Sequence, residues 1–308
     1  MKKITLIFMT MILFCGLCAC GTDNTAKTDS EEKITVTDAT GKSYDIPKNV
    51  TKIVGATPAA TEIIAGLGEG EKLVAIDNYS IDIPDIPKDL PTFDTMAPDM
   101  EKLLALEPQV LIASTNSLLS DKDPFKTLKD HGVTVIYMDN SVSLEGIMKD
   151  VIFVSEIVGN PEKGKEMANS IQEKMDEIAA IGSTIEDKKS VYFEISPSPD
   201  ITSFGTGNFL NEILGLVGAT NIFGDKEGWL TPNAETIIAK NPDVILTNVN
   251  YMGDQISEIK IRDGWDSINA IKNNQVLMVD ANATSRPTQN IVKAMDEIAK
   301  AIYPDMYK

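Results

Sequence analysis

Three segments of this chain occur twice, in the same order. Glu62-Ile63-Ile64-Ala65-Gly66-Leu67-Gly68 returns 150 residues on as Glu212-Ile213-Leu214-Gly215-Leu216-Val217-Gly218. Glu101, seven residues before Pro108-Gln109-Val110-Leu111-Ile112, returns as Glu235, seven residues before Pro242-Asp243-Val244-Ile245-Leu246. Gly132-Val133-Thr134-Val135-Ile136-Tyr137-Met138-Asp139 returns as Asn273-Asn274-Gln275-Val276-Leu277-Met278-Val279-Asp280. Solenoid repeats have periods of about 20–50 residues, so a spacing this long is not a solenoid. It implies two similar lobes, and a cleft between lobes is a favoured place to hold a small molecule.

The local patterns supply the contents of each lobe. Residues 34–38 and 43–46 flank Ala39-Thr40-Gly41-Lys42 and predict a β-hairpin. Short apolar runs at 52–55, 73–76, 110–113 and 133–138 alternate with helical segments at 59–67, 100–106 and 124–131. Buried strands separated by helices predict a parallel sheet. Residues 143–159 and 161–181 break the alternation, since both read as helices. The second carries Ala168, Ile171, Met175 and Ile178 on one face, and Pro161 suits its first turn. This long helix falls midway between the two copies and reads as a spine. Strands at 191–194, 244–246 and 276–279 and a helix at 289–302 complete the second lobe. The expected fold is α/β: two similar three-layer lobes with mostly parallel sheets joined by a long backbone helix. The boundaries are 34–142 for the N-terminal lobe, 143–187 for the helical connector and 188–308 for the C-terminal lobe.

The start of the chain addresses it out of the cytoplasm. Lys2 and Lys3 precede an apolar run and then small residues, which reads as a secretory signal over 1–19. The three cysteines, Cys15, Cys18 and Cys20, all lie at its end. Leu17-Cys18-Ala19-Cys20-Gly21 looks like a bacterial lipobox, with cleavage before Cys20 and lipidation of its thiol. A plain secretory signal is the simpler alternative. Residues 20–33 then form a polar tether, so the membrane is reached by a lipid anchor only.

The formal net charge is −18, and only two arginines are present, Arg262 and Arg286. That balance excludes a nucleic-acid partner, which needs a basic footprint. One histidine, His131, leaves no material for a histidine-rich metal receptor or a Ser-His-Asp or Cys-His catalyst. It precedes Gly132 at a helix end and reads as structural. A carboxylate-dependent hydrolase stays open on composition alone. No catalytic residue and no resident metal is therefore assigned.

Several motifs carry a family likeness. Gly55-Ala56-Thr57-Pro58-Ala59-Ala60-Thr61-Glu62 resembles the T-P-x-x-T-E opening of the substrate-binding proteins that serve ABC importers of cobalamin, ferric siderophores and haem. So do Asp77-Asn78-Tyr79-Ser80, the stretch from Glu101 to Pro108, Gly228-Trp229 followed by Glu235, and Ser285-Arg286-Pro287. The resemblance spans about residues 34–304. It implies two lobes joined by one backbone helix, with limited hinge motion. It also implies partnership with a permease dimer and its ATPase, and a chelate cargo that brings its own metal. The lipobox suits a receptor held on the outer face of a Gram-positive cell membrane.

Candidate site residues follow. Tyr79 and Trp229 lie in loops of the kind that bind ligands at the carboxyl ends of parallel strands, where aromatics can stack on a flat chelate. The alternatives are loop anchoring for Tyr79 and lobe packing for Trp229. In the vitamin-binding members an aromatic matches Tyr79, a tryptophan six residues before a docking glutamate matches Trp229, and a first-lobe tryptophan falls near Phe93 to Met96. Arg286 either pairs with ligand charge or braces a loop. Thr57, Asn208 and Tyr251 are further cleft candidates. Trp265 reads as a core aromatic. Glu101 and Glu235 each follow a good N-cap by two residues, where an acid favours the helix dipole. The resemblance adds a role: one exposed glutamate per lobe pairs with arginines on the two permease subunits. The function implied is capture of a corrinoid or ferric siderophore, a corrinoid slightly favoured, with haem as the alternative.

Overall fold

The computed structural model describes residues 32–118 and 123–308; the signal, Cys20 and most of the tether lie outside them. The chain opens with an antiparallel hairpin, β1 (Lys33–Thr37) and β2 (Ser43–Pro47), with Ile34 opposite Ile46 and Val36 opposite Tyr44. Gly41 turns it at φ +81°, a left-handed conformation that glycine adopts without steric cost. The N-terminal sheet follows: β3 (Ile53–Gly55), β4 (Leu73–Asp77), β5 (Thr92–Phe93), β6 (Val110–Ser114) and β7 (Thr134–Met138), in the order β5-β4-β3-β6-β7 and parallel throughout. Helices α1 (Pro58–Gly66), α2 (Met100–Ala105) and α3 (Lys126–Asp130) connect these strands. The middle strands are covered on both faces, so β6 is one apolar run rather than an alternation.

Beyond the connector, β8 (Ser190–Glu194), β10 (Thr220–Asn221), β12 (Val244–Thr247) and β13 (Val276–Met278) form a parallel sheet in the order β10-β8-β12-β13. A small ribbon, β9 (Ser203–Phe204) with β11 (Trp229–Leu230), stands beside it. Helices α6 (Phe209–Leu216), α7 (Ala234–Lys240), α8 (Gln255–Lys260), α9 (Asn269–Lys272), α10 (Ala281–Ser285) and α11 (Ile291–Ile302) complete the lobe. Set aside β5, and the two sheets share one strand order. The three sequence repeats fall on equivalent places: α1 with α6, α2–β6 with α7–β12, and β7 with β13.

Between the lobes run α4 (Leu144–Ile157) and α5 (Pro161–Gly182). At 1.5 Å per residue α5 is about 33 Å long. It buries Ala168, Ile171 and Ile178, and full burial of each isoleucine contributes ~1.5–3 kcal/mol. Gly164 lets α4 and α5 touch, because a Cβ there would overlap the Ser155 hydroxyl. One hydrophobic cluster runs from Val36 through α4 and α5 to Tyr307, so the spine is core to both lobes. The chain end is tied to the same spine. The Tyr307 hydroxyl donates to the Ile178 and Val217 carbonyls at 3.2 and 3.1 Å, and Tyr303 donates to Gly218 O at 3.0 Å.

Candidate functional site: the cleft between two sheet edges

Loops leaving the carboxyl ends of the strands meet across the lobes. After β4 come Tyr79 and Asp82; after β13 come Asn282 and Arg286. Asn282 Nδ2 donates to Asp82 Oδ2 at 2.6 Å, and Arg286 Nη2 donates to Asp82 Oδ1 at 2.7 Å and to Tyr79 O at 2.9 Å. The carboxyl edges of both sheets therefore face a common cleft, the ligand position of open α/β sheets.

On the N-terminal side the cleft holds a cavity of about 550 Å³. Thr57 and Pro58 at the start of α1, Asp77 at the end of β4 and Tyr79 beyond it, Thr95 and Met96, and Ser114 at the end of β6 and Asn116 beyond it line it. Asp77 is buried, its carboxyl accepting from Tyr79 N at 2.8 Å and from the Ser80 hydroxyl. Burial raises the pKa of that carboxyl. Tyr79 is 75% exposed, its backbone fixed and its ring free. The described lining mixes neutral polar groups with apolar ones, Ala56, Pro58, Met96 and Pro124, and Asp77 is its one ionisable acid.

On the C-terminal side Trp229 stands on the ribbon, 60% exposed, its ring edge-on to Phe204 at 6.5 Å between centroids and an 87° interplanar angle. Tyr251 and Met252, in the loop after β12, are also exposed. Trp265 is the opposite case. It is buried edge-on to Tyr192 at 6.2 Å, beneath the Arg262 guanidinium at 4.6 Å, a core aromatic as the sequence suggests. His131 caps its own helix, with Nδ1 2.8 Å from Thr127 O.

Three expected contacts take other places. Phe93 is buried on β5, packed with Val54, Ala75, Leu103 and Leu111, because the short edge strand turns it inward. Asn208 is buried as the N-cap of α6, accepting from Leu210 N at 2.9 Å. Arg286 is largely spent inside the protein: besides its bonds to Asp82 and Tyr79 O, Nη1 lies 3.4 Å from Glu62 Oε1. The bracing alternative describes its surroundings.

Sequence reasoning missed the interlobe anchors. Glu62 on α1 accepts from the Thr288 hydroxyl, and its backbone carbonyl accepts from Gln289 Nε2 at 2.9 Å. Its repeat partner Glu212 on α6 accepts from Leu144 N, at the start of α4, at 2.8 Å. Each first helix thus grips the chain leaving the other lobe. The duplication of Glu62 and Glu212 was the available signal. Asp77, Ser114 and Asn116 were also missed; polar residues at or just beyond the carboxyl end of a buried strand were the hint.

Glu101 and Glu235 both sit exposed in the first turns of α2 and α7. The caps are as expected: Asp99 accepts from Lys102 N at 3.1 Å and Asn233 from Thr236 N at 2.9 Å. Neither glutamate has an ion-pair partner among the described residues.

Known proteins share this sequence and architecture. The periplasmic binding protein family model matches residues 53–283. The chain is 32% identical over 309 residues to the ABC transporter substrate-binding lipoprotein YvrC of Bacillus subtilis, covering 98% of this chain and 96% of that protein. It is 26% identical over 261 residues to a vitamin B12-binding protein of Vibrio parahaemolyticus, covering 82% of this chain and 89% of that protein. A solved structure of a possible iron-binding (periplasmic solute-binding) protein from Staphylococcus epidermidis superimposes with a TM-score of 0.73 at 30% identity, covering 83% of this chain and 99% of that one. These relatives are binding proteins rather than enzymes, which removes the hydrolase alternative. The chain belongs to the periplasmic binding protein family, as a substrate-binding protein of an ABC transporter that works with a permease.

Proposed function

We propose that the protein captures one bulky metal chelate in this cleft, a corrinoid before a ferric siderophore, and delivers it to the permease and ATPase of an importer. The observation that carries the reading is an exposed aromatic from each lobe: Tyr79 on the wall of a large cavity whose lining mixes apolar and neutral polar groups, and Trp229 on the ribbon of the C-terminal lobe. Such rings stack on a flat or bulky ligand, while Thr57, Ser114 and Asn116 offer hydrogen bonds to its amides. Arg286 is engaged elsewhere, and the described cavity lining offers no lysine or arginine. That chemistry suits an amide-rich or neutral chelate better than a polyanionic one. The names of the vitamin B12-binding relatives point the same way. Met96 at the cavity wall keeps haem as the second reading, since a thioether can ligate its iron. The cargo carries its own metal. Cys20 would anchor the mature protein to the outer face of the membrane by lipid.

Glu101 and Glu235 supply one carboxylate contact per lobe for the two permease subunits. Exposed charges contribute little to folding. Glu101→Ala and Glu235→Ala should therefore leave melting and chelate affinity intact. Each should weaken binding to the permease in nanodiscs and slow uptake, with a shallower salt dependence as charges are lost. Full transport by the double variant would leave these residues only as helix-dipole partners.

A further inference from the structure

We propose that the permease also inserts an apolar side chain into a second cavity, beside the docking glutamate of the N-terminal lobe. This rests on the reading of Glu101 as a docking residue. A cavity of about 390 Å³ opens between β5 and α2. Ala75, Phe93, Leu103 and Leu106 line its apolar interior, and Asp94 and Asp99 stand at its edge. A void in an apolar wall forfeits dispersion contacts on its open side, and an apolar group from outside would restore them.

The charges around it specify what flanks that group. Asp99 is paired with Lys102 at 3.1 Å. Asp94 and Glu101 have no cation partner among the described residues. The surface therefore matches an exposed loop carrying an apolar residue next to a lysine or arginine. Glu101 and the lining residues Asp99, Lys102, Leu103 and Leu106 belong to α2 and its caps, so a partner reaching one reaches the other. The segment 91–97 that walls this cavity also gives Thr95 and Met96 to the ligand cavity.

Ala105, exposed on the last turn of α2, lines the cavity and can be enlarged to close it. Ala105→Phe, with Ala97→Phe as an independent second plug, should leave melting temperature and chelate affinity as in the unaltered protein. Affinity for the permease in nanodiscs should fall at least tenfold. A photoreactive p-benzoylphenylalanine placed at position 105 should crosslink in cells to an apolar residue of the permease that neighbours a lysine or arginine. If both plugs bind the permease within twofold of the unaltered protein while Glu101→Ala weakens it, the cavity is not used and the docking role of Glu101 stands. If plugs and glutamate variants alike change nothing, the docking reading fails with it.

Discussion

Arg262→Ala is expected to cost the C-terminal lobe about 3–5 kcal/mol, because it strands a buried carboxylate. Glu194, at the end of β8, has a fully buried side chain. Arg262 reaches it with Nη1 at 2.6 Å and Nη2 at 2.9 Å. The same guanidinium holds Glu258 through Nε at 3.0 Å and lies over the Trp265 ring. The hydroxyl of Tyr192 and the amide of Gln255 complete the shell around Glu194, at 3.1 and 3.0 Å. The two carboxylates around Arg262 hold it charged, its pKa above the ordinary arginine value despite burial. Removing the cation leaves Glu194 without a countercharge in a site water does not reach. Thermal unfolding should shift down by on the order of 10 °C. Glu194→Gln combined with Arg262→Met should recover a large part of that loss, since no buried charge then remains. An unchanged melting temperature for Arg262→Ala would show that the network contributes nothing to the lobe.

The second large effect is expected at the other arginine. Arg286→Ala removes the bonds to Asp82 and Tyr79 O and the only cation beside Glu62 among the described residues. A hydrogen bond to a charged group contributes about 1.5–3 kcal/mol. Thr288 still donates to Glu62, so the expected cost is about 2–3 kcal/mol rather than that of a wholly stranded charge. The loop bearing Tyr79 is then held to the C-terminal lobe by the Asn282–Asp82 bond without the guanidinium, so chelate affinity should fall several-fold as a consequence. Melting curves and calorimetric titration on one variant separate the two roles. A lowered melting temperature identifies a brace. Lost affinity with unchanged melting would mean that the guanidinium pays out its charge to the ligand instead.

Much of the architecture was legible because it depends on periodicity. Strands such as β6 and β12 are buried on both faces and so appear as continuous apolar runs. Helices announce their starts with Asp99, Asn233 and Pro161. The offset repeats place equivalent elements in both lobes. The candidate site was less legible, since side-chain partners across the lobes leave no local pattern. Arg286 was visible as a rare cation but not as the partner of Asp82, which lies 204 residues away in the chain. Phe93 looked like a cleft aromatic because its loop aligned with one, yet the two-residue strand β5 turns it into the core. Asn208 could serve as a ligand contact or a helix cap by composition, and the geometry of α6 gives it the cap. The exposure of Tyr79 and Trp229 was legible, because each is a large aromatic in a glycine-bearing or turn-forming loop outside the apolar runs that form the core.

Calorimetric titration of the purified protein with cyanocobalamin, read in parallel by tryptophan fluorescence, tests cleft capture most directly. Trp229 is exposed on the β9–β11 ribbon and Trp265 is 1% exposed in the core, so the two report separately. One-to-one binding should quench the exposed tryptophan, and Trp229→Phe should abolish most of the quench while weakening affinity. Binding of a ferric hydroxamate or haem in place of cyanocobalamin would move the cargo within the chelate class. Absence of binding to cyanocobalamin, ferric hydroxamate, ferric catecholate and haem alike would contradict chelate capture by this cleft.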